Sequence, residues 1–179
     1  MITLESKIYI AGHNGMVGSA CWRALEAKGY KNIIGFSSKD LDLRDQRVVY
    51  EMLEREMPDA IIDAAAKAGG ILANSTYPYE FIMDNMLIQN NLIKAAHELD
   101  IKKFIFLGSS CIYPKKAPQP LKEEYLLTGP LEDTNQWYAI AKISGVKLIE
   151  ALREQYDRDY VSLMPTNLYG PGDNYDLET

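Results

Sequence analysis

The sequence has few cysteines, and the two present are not spaced for structural chemistry. Cys21 and Cys111 are the only cysteines in 179 residues, and their separation matches no metal-ligand pattern. Such a chain is not built on disulfides or on a cysteine-ligated metal. We therefore expect a reduced, cytoplasmic setting and no bound metal.

Long apolar runs and a surplus of positive charge are also missing. No apolar run approaches the ~20 residues of a membrane-spanning helix, and residues 1–6 lead straight into a strand-like segment without a signal sequence. The net charge is -6 and the basic residues are scattered, which argues against a nucleic-acid surface. We expect neither a membrane nor a nucleic acid as partner.

What the chain does contain is an alternation of apolar strands and helical patterns. The spacing predicts strands over 7–11, 32–36, 59–66, 103–108 and 159–164, and helices over 16–28, 46–56, 79–99 and 138–156. Strands that are apolar nearly throughout, separated by helices, predict an α/β fold with a doubly wound parallel sheet of the Rossmann type. Ligands of such sheets bind at the carboxyl ends of the strands.

A glycine-rich turn follows the first predicted strand and opens the first predicted helix. It has the form G-x-x-G-x-x-G, and we expect cofactor contacts from Gly12, His13, Asn14, Gly15, Met16, Val17 and Gly18. Glycines allow the tight turn and a close approach of the backbone to a pyrophosphate, which the helix N-terminus favours. The turn predicts a dinucleotide site.

The end of the second strand indicates which dinucleotide is bound. An acid there usually contacts the ribose 2′-hydroxyl of NAD, but this chain reads Phe36-Ser-Ser-Lys with no acid before Asp40. Ser38 and Lys39 suit a 2′-phosphate better, so we predict NADP(H). Asp42 and Leu43 would lie by the adenine; alternatively, Asp42 caps the next helix.

Tyr138 and Lys142 lie four residues apart in a predicted helix, so their side chains share one face. An ammonium beside a phenol stabilises the phenolate, and we expect the pKa of Tyr138 to fall toward the working pH. The alternative is an ordinary helix with a buried aromatic and a solvated lysine. Ser109, at the end of the fourth strand, could hydrogen-bond a substrate carbonyl opposite the tyrosine.

With the glycine turn, Ser109, Tyr138 and Lys142 in this order, the sequence resembles the extended short-chain dehydrogenase/reductase family. The likeness is stronger to its GDP-L-fucose synthases, through segments at 65–71, 74–78, 108–115, 138–142 and 165–171. The resemblance implies NADPH-dependent 3,5-epimerisation and 4-reduction of GDP-4-keto-6-deoxy-D-mannose to GDP-L-fucose. It also implies a homodimer formed through the helices that carry Asn85 and Tyr138.

The resemblance further assigns roles to single residues. Ser109 would polarise the C4 carbonyl, Tyr138 would protonate its oxygen, Lys142 would hold the nicotinamide ribose, and Cys111 would be the base at C3 and C5. Further cofactor contacts are expected from Ala65, Ala66, Asn85, Leu107, Gly108, Pro165, Thr166, Asn167 and Leu168, and also from Ser109 and Lys142 themselves. Asn85 has the competing interpretation of a buried helix-interface amide, and Cys111 that of a small apolar residue.

The resemblance also implies that something is missing. The family's epimerisation acid is a histidine that would fall just past residue 179, and a C-terminal substrate domain would follow it. We therefore expect residues 1–179 to be an NADP-binding domain that is truncated at its C-terminal end. Two alternatives stay open: another sugar-nucleotide epimerase or dehydratase of the extended family, and a non-catalytic nucleotide-binding module.

Overall fold

A computed structural model of the chain describes residues 1–173 as a parallel sheet covered by helices. The strands are β1 (Ile8–Ala11), β2 (Ile33–Ile34), β3 (Ala60–Asp63), β4 (Lys103–Leu107) and β5 (Asp159–Leu163), in the spatial order β2-β1-β3-β4-β5. Every neighbouring pair is parallel. The predicted α/β class with a doubly wound parallel sheet is confirmed. Whatever was expected of residues 174–179 lies outside the described residues.

Five helices connect these strands. They are α1 (Met16–Ala27), α2 (Gln46–Glu56), α3 (Ile71–Thr76), α4 (Pro78–Glu98) and α5 (Gln136–Tyr156), and short 3-10 turns occupy Ser110–Ile112 and Glu123–Tyr125. Asp45 caps α2, because its carboxylate accepts hydrogen bonds from the Arg47 and Val48 backbone N–H groups. The alternative that Asp42 caps this helix is therefore wrong.

The two faces of the sheet are covered by different helices. Tyr9, Ile61, Phe104 and Phe106 are fully buried in a large cluster with the apolar sides of α2, α4 and α5. Ile8, Ile10 and Ala60 point the other way, toward residues of α1 such as Trp22. Alternate residues of one strand thus serve opposite layers, as the pleat of a sheet requires.

The chain reverses its direction of winding between β1 and β3, and this reversal positions the site. From β1 the chain moves outward to β2, then crosses back to place β3 on the other side of β1. Ligands of open α/β sheets bind where the strand order reverses, outside the carboxyl ends of the strands. Ala11 pairs with Asp63, so the segments that follow β1 and β3 emerge side by side.

Candidate active site

The glycine turn after β1 packs without space for side chains. Gly12 has φ +74°, and a Cβ on it would lie 2.8 Å from the Ala64 carbonyl oxygen. A Cβ on Gly18 would lie 2.1 Å from the Gly12 carbonyl oxygen, so α1 sits directly against the turn. Gly15 caps α1 without any side-chain hydrogen bond. The positive end of α1 therefore faces the cleft uncovered, which fits a pyrophosphate.

A cleft of about 820 Å³ opens between the ends of β1, β2 and β3, a volume within the usual range for small-ligand sites. Of the predicted cofactor residues, it is lined by Gly12, His13, Asn14, Gly15, Ser38, Lys39, Asp42, Leu43, Ala65 and Ala66. It is also lined by residues outside the predicted cofactor set: Phe36, Ser37, Leu41, Arg44, Ala64, Lys67, Asp84 and Ile88. The geometry matches an extended nucleotide lying across the switch point.

The other predicted cofactor residues are absent from this lining within residues 1–173. They are Met16, Val17, Gly18, Asn85, Leu107, Gly108, Ser109, Lys142, Pro165, Thr166, Asn167 and Leu168. Gly18 is buried under the turn, and Asn85 is buried on α4. Most of the rest follow β4 and β5, along the same carboxyl edge of the sheet. Cofactor contacts from this group stay a prediction.

The charged side chains at the β2 end of the cleft include an arginine that the sequence pattern gave no reason to notice. Two of the Arg44 guanidinium nitrogens bond the Asp42 carboxylate, at 2.9 and 2.8 Å, and a third lies 3.6 Å from Asp84. This contact holds the pKa of the Asp42 carboxyl below its usual range. Lys39 and Ser38 are exposed on the same wall. Lys67, which also lines the cleft, pairs with Asp84 at 3.3 Å.

Asn85 contributes to the cleft through the backbone it holds. Its Nδ2 donates to the carbonyl oxygens of Lys67 (2.9 Å) and Phe81 (2.7 Å), and its Oδ1 accepts from the Lys67 N–H (2.9 Å). Only 2% of Asn85 is exposed. This geometry is that of a buried interface amide, which fixes the segment after β3 against α4.

The segments after β4 and β5 are joined by backbone hydrogen bonds. Gly108 N–H donates to the Leu163 carbonyl (2.8 Å), and Ser110 N–H donates to the Pro165 carbonyl (3.0 Å). A Cβ on Gly108 would lie 2.7 Å from the Met164 sulfur. The Ser109 hydroxyl accepts from the Cys111 N–H at 3.3 Å and caps the 3-10 turn. Ser109 and the Pro165 segment therefore belong to one surface.

Tyr138 and Lys142 lie on α5 above this surface. Lys142 is 3% exposed, and its ammonium donates to the Leu107 carbonyl at 2.8 Å and lies 5.7 Å from the Tyr138 ring centroid. The predicted pairing of the two side chains is therefore present. The alternative of a solvated lysine is wrong, because the side chain turns inward over the Phe106 ring, 4.7 Å from its centroid.

The expected fall in the pKa of Tyr138 is wrong for this structure. Burial raises the pKa of the phenol well above its usual value, and charge on Cys111 and Asp63 raises it further. Desolvation penalises the phenolate, and the Lys142 ammonium is directed at a backbone carbonyl. At neutral pH Tyr138 is accordingly a protonated donor.

The pKa of the Cys111 thiol is raised, although the role of base that the resemblance implies needs the thiolate. Burial raises it, while hydrogen bonds from Ser109 and Asn135 and the charge of Lys142 act to lower it. Asn135, the residue before α5, was not found from the sequence. The groups that favour a thiolate surround Cys111, but burial outweighs them here.

Asp63 is a further residue that the sequence did not single out. It ends β3 and is fully buried, and burial raises the pKa of its carboxyl to about 6, against an attraction to Lys142 that lowers it. The pattern Ile61-Ile-Asp-Ala at the end of an apolar strand was the signal that could have found it, because a carboxylate is rarely fully buried without a partner.

The side chains of both histidines, His13 and His97, contact other side chains. The His13 ring lies 5.7 Å from the Trp22 ring and fills the space beside Gly35, where a Cβ would meet it at 2.4 Å. His97 Nδ1 accepts from the Arg158 Nε at 3.0 Å, away from the cleft. Within residues 1–173 there is no metal-binding cluster of His, Cys, Asp or Glu, and no helix long and apolar enough to cross a membrane.

Comparison with curated proteins finds extensive similarity. The chain is 54% identical over 171 residues to the GDP-L-fucose synthase of Escherichia coli (strain K12), covering 96% of this chain and 53% of that protein. The chain thus spans about half the length of the curated relatives it matches.

Solved structures share the fold over the whole chain. One named DdhaC superposes with a TM-score of 0.96 at 49% identity, covering 100% of this chain and 52% of its own. A GDP-L-fucose synthetase from Naegleria fowleri, bound to NADP, has a TM-score of 0.86 at 31% identity, covering 99% of this chain and 59% of its own. A family model described as NAD dependent epimerase/dehydratase family matches residues 8–179. The chain belongs to the NAD dependent epimerase/dehydratase family.

Proposed function

We propose that this chain is the NADP(H)-binding part of an enzyme that converts GDP-4-keto-6-deoxy-D-mannose to GDP-L-fucose. The observation that carries the proposal is one arrangement. Ser109, Cys111, Tyr138 and Lys142 lie together at the carboxyl edge of the sheet, the edge that also holds a nucleotide-sized cleft, in a chain 54% identical to a GDP-L-fucose synthase. The proposed NADP-binding domain comprises residues 1–179 and acts in the cytoplasm.

NADP(H) fits the residues of the cleft. The glycine turn and the uncovered N-terminus of α1 would take the pyrophosphate, and Ser38 and Lys39 would take the 2′-phosphate. Lys142 would hold the nicotinamide ribose. When bound, the reduced cofactor supplies the hydride for C4. A related solved structure with NADP supports this choice.

The raised pKa of Tyr138 suits the reductive direction. Reduction of the C4 ketone leaves negative charge on its oxygen, and the protonated phenol of Tyr138 donates a proton there. The Ser109 hydroxyl orients the carbonyl by hydrogen bonding. The nearby Lys142 ammonium stabilises the phenolate that remains.

Epimerisation at C3 and C5 uses the same carbonyl. Protons alpha to the ketone are acidic, because the enolate places its charge on the C4 oxygen held by Ser109 and Tyr138. Cys111 as the thiolate removes such a proton, and Ser109, Asn135 and Lys142 favour that form. Inversion is completed by an acid on the opposite face of the enolate.

Dinucleotide binding tests the proposal on the chain itself. We expect NADPH to bind more tightly than NADH, and the double change of Ser38 and Lys39 to Ala to weaken NADPH selectively. Fluorescence titration measures both affinities, with Lys102→Ala, an exposed lysine at the opposite end of β4, as the matched control. If neither dinucleotide binds, the proposal is overturned.

Two active-site variants of the whole enzyme test the chemistry. Tyr138→Phe should lower reduction of GDP-4-keto-6-deoxy-D-mannose by about 10²–10⁴-fold while NADPH still binds. Cys111→Ser should slow exchange of the C3 and C5 protons with deuterated water far more than it slows reduction. Equal losses of both activities in Cys111→Ser would make Cys111 a structural residue.

We also propose a homodimer formed through α4 and α5. Met83 and Leu87 of α4 and Trp137 of α5 are each 37% exposed, although all three are large and apolar. Met83 and Leu87 are four residues apart and therefore share one face of α4. A partner copy would cover these side chains.

A further inference from the structure

Asp63 is a buried carboxylate in which only one of the two oxygens accepts a hydrogen bond from the described part of the chain. One oxygen, Oδ1, accepts a hydrogen bond from the Ala65 N–H at 3.2 Å, while Oδ2 has no hydrogen-bond partner within residues 1–173. The residue is 0% exposed. Buried carboxylates are ordinarily paired with a cation or fully hydrogen-bonded, so a free oxygen here points to a role that hydrogen bonds alone do not fill.

The cationic side chain that interacts with the Asp63 carboxylate is Lys142. Asp63 pairs with Phe106 across the β3–β4 register, and the Lys142 Nζ lies 4.7 Å from the Phe106 ring centroid. The Lys142 ammonium donates one hydrogen bond to the carbonyl oxygen of Leu107, which is one residue further along β4. Carboxylate and ammonium thus lie over neighbouring strands at the same edge of the sheet.

The other titratable groups around the pair do not supply the negative charge. Asp63 interacts electrostatically with Tyr9 of β1 and with Tyr138 and Lys142 of α5. Lys142 interacts with Asp63 and with Cys111. Burial raises the pKa of both phenols and of the Cys111 thiol, so these three are neutral at neutral pH. The Asp63 carboxyl, with a pKa of about 6, is ionised there.

We propose that Asp63 is a positioning residue for Lys142, and that its carboxylate keeps the buried ammonium charged and in place for the cofactor and for Tyr138. Burial lowers the pKa of Lys142, and the negative charge of Asp63 is the main influence that opposes this. The functional consequence rests on the proposed function, because Lys142 would hold the nicotinamide ribose. The charge state of Lys142 does not depend on that function.

The first test measures the titration of Lys142 directly. In protein labelled with ¹³C at the lysine Cε, the Lys142 signal is assigned by its loss in Lys142→Met and followed against pH. In Asp63→Asn we expect the Lys142 midpoint to fall by about one unit or more, because a neighbouring opposite charge typically shifts a pKa by about 1–3 units. An unchanged midpoint overturns the inference.

Two controls separate charge from packing. Asp59→Asn makes the same change at the opposite end of β3, on an exposed side chain, and should leave the Lys142 midpoint in place. Tyr9→Phe alters the buried surroundings of Asp63 without removing its charge. A shift in Tyr9→Phe as large as that in Asp63→Asn would also overturn the inference.

A second measurement needs no variant at position 63 and holds even where Asp63→Asn fails to fold. In the wild-type chain, the Lys142 signal should show an additional inflection at the pH where the Asp63 carboxyl itself titrates, near 6. Coincident inflections of the Asp63 Cγ and Lys142 Cε signals support the pairing. A Lys142 signal that is flat through this range contradicts it.

NADPH binding distinguishes failure of the inference from failure of the proposed function. In Asp63→Asn the loss of NADPH affinity at alkaline pH should begin at lower pH than in the wild type, in step with the Lys142 midpoint. If NADPH binds neither protein while the Lys142 midpoint still shifts, the proposed function fails and the inference stands. If NADPH binds both with the same pH profile, the inference fails and the function stands.

Discussion

Gly18 makes the closest contact of the glycine turn, and the atoms that it contacts belong to the backbone. A Cβ there would lie 2.1 Å from the Gly12 carbonyl oxygen, and backbone has no flexible end that can move aside. We expect Gly18→Ala to cost about 1–3 kcal/mol of unfolding free energy, as overpacking does, and to weaken dinucleotide binding. Urea unfolding measures the loss.

Gly170→Ala is the matched control, because no atom lies within 4 Å of an ideal Cβ at Gly170. Its unfolding free energy should stay within about 0.5 kcal/mol of the wild type. Equal stability of Gly18→Ala and Gly170→Ala would show that α1 can move away from the turn.

Asp63 makes stability depend on pH in an unusual direction. Its folded pKa of about 6 lies above the usual 3.8 of an aspartate carboxyl, so the native chain binds this proton more tightly than the unfolded chain. The contribution of Asp63 is therefore fully favourable below about pH 4 and is lost as pH rises through 6. A difference of about 2 units corresponds to roughly 3 kcal/mol.

Asp63→Asn removes this dependence. Relative to the wild type, its unfolding free energy should improve by about 3 kcal/mol between pH 4 and pH 7.5. Urea unfolding at the two pH values measures the change, with Asp59→Asn as the exposed control. A constant difference between Asp63→Asn and wild type would show that the buried carboxyl titrates normally.

At the scale of elements, Asn85 ties α4 to the segment after β3. Removing its amide leaves the Lys67 backbone N–H and carbonyl without their partners. We expect Asn85→Ala to cost about 1–3 kcal/mol and to weaken NADPH binding, because the Lys67 segment forms one wall of the cleft. Calorimetry and fluorescence titration measure the two effects.

Asn90 is a suitable comparison on the same helix, since its side chain is exposed. Asn90→Ala should change neither stability nor NADPH affinity appreciably. Asn85→Ala with reduced stability but unchanged NADPH affinity would confine Asn85 to a packing role.

Helices and strands whose apolar residues recur at a regular spacing could be predicted from the sequence. Elements whose apolar residues are partly exposed could not. The predicted bounds of α2 match the structure, because its apolar positions recur at helical spacing, but its cap is Asp45 and not Asp42. The predicted second strand was too long: only Ile33–Ile34 pairs, at the edge of the sheet. The short α3 was missed because Ile71 and Leu72 are exposed, so its pattern has no buried stripe.

The sequence predicted which residues form the site better than it predicted their pKa values. Spacing brought Tyr138 and Lys142 together, because a helix fixes which side chains share a face. The direction of their pKa shifts depended on burial, which no local spacing reports. Arg44 was missed because its contact with Asp84 joins a loop to α4, far apart in the chain.

At the scale of the whole molecule, β5 forms an open edge of the sheet. Along β5, Tyr160 is buried, whereas Val161 and Leu163 are 37% and 46% exposed. An edge strand with exposed apolar side chains favours association with other chains. Leu163→Lys should lower light scattering during concentration or warming, and Leu127→Lys, at an exposed loop leucine, should not. Similar effects of both changes would mean that β5 is not the contact.

The proposed dimer predicts how substitutions on α4 change the molecular mass of the protein in solution. Leu87→Glu places a charge on the apolar face of α4 and should give a monomer by size-exclusion chromatography with light scattering. Leu121→Glu, at a leucine of nearly equal exposure (38% against 37%), should stay dimeric. If the wild-type chain is itself a monomer, the proposal of a homodimer is wrong.

The contact between His13 and Trp22 gives the protein a built-in optical probe. The chain has only two tryptophans, and the Trp22 indole lies 5.7 Å from an imidazole that lines the cleft. In a Trp137→Phe background, emission would come from Trp22 alone. The colour and intensity of Trp22 emission would therefore follow events at the glycine turn without any added label.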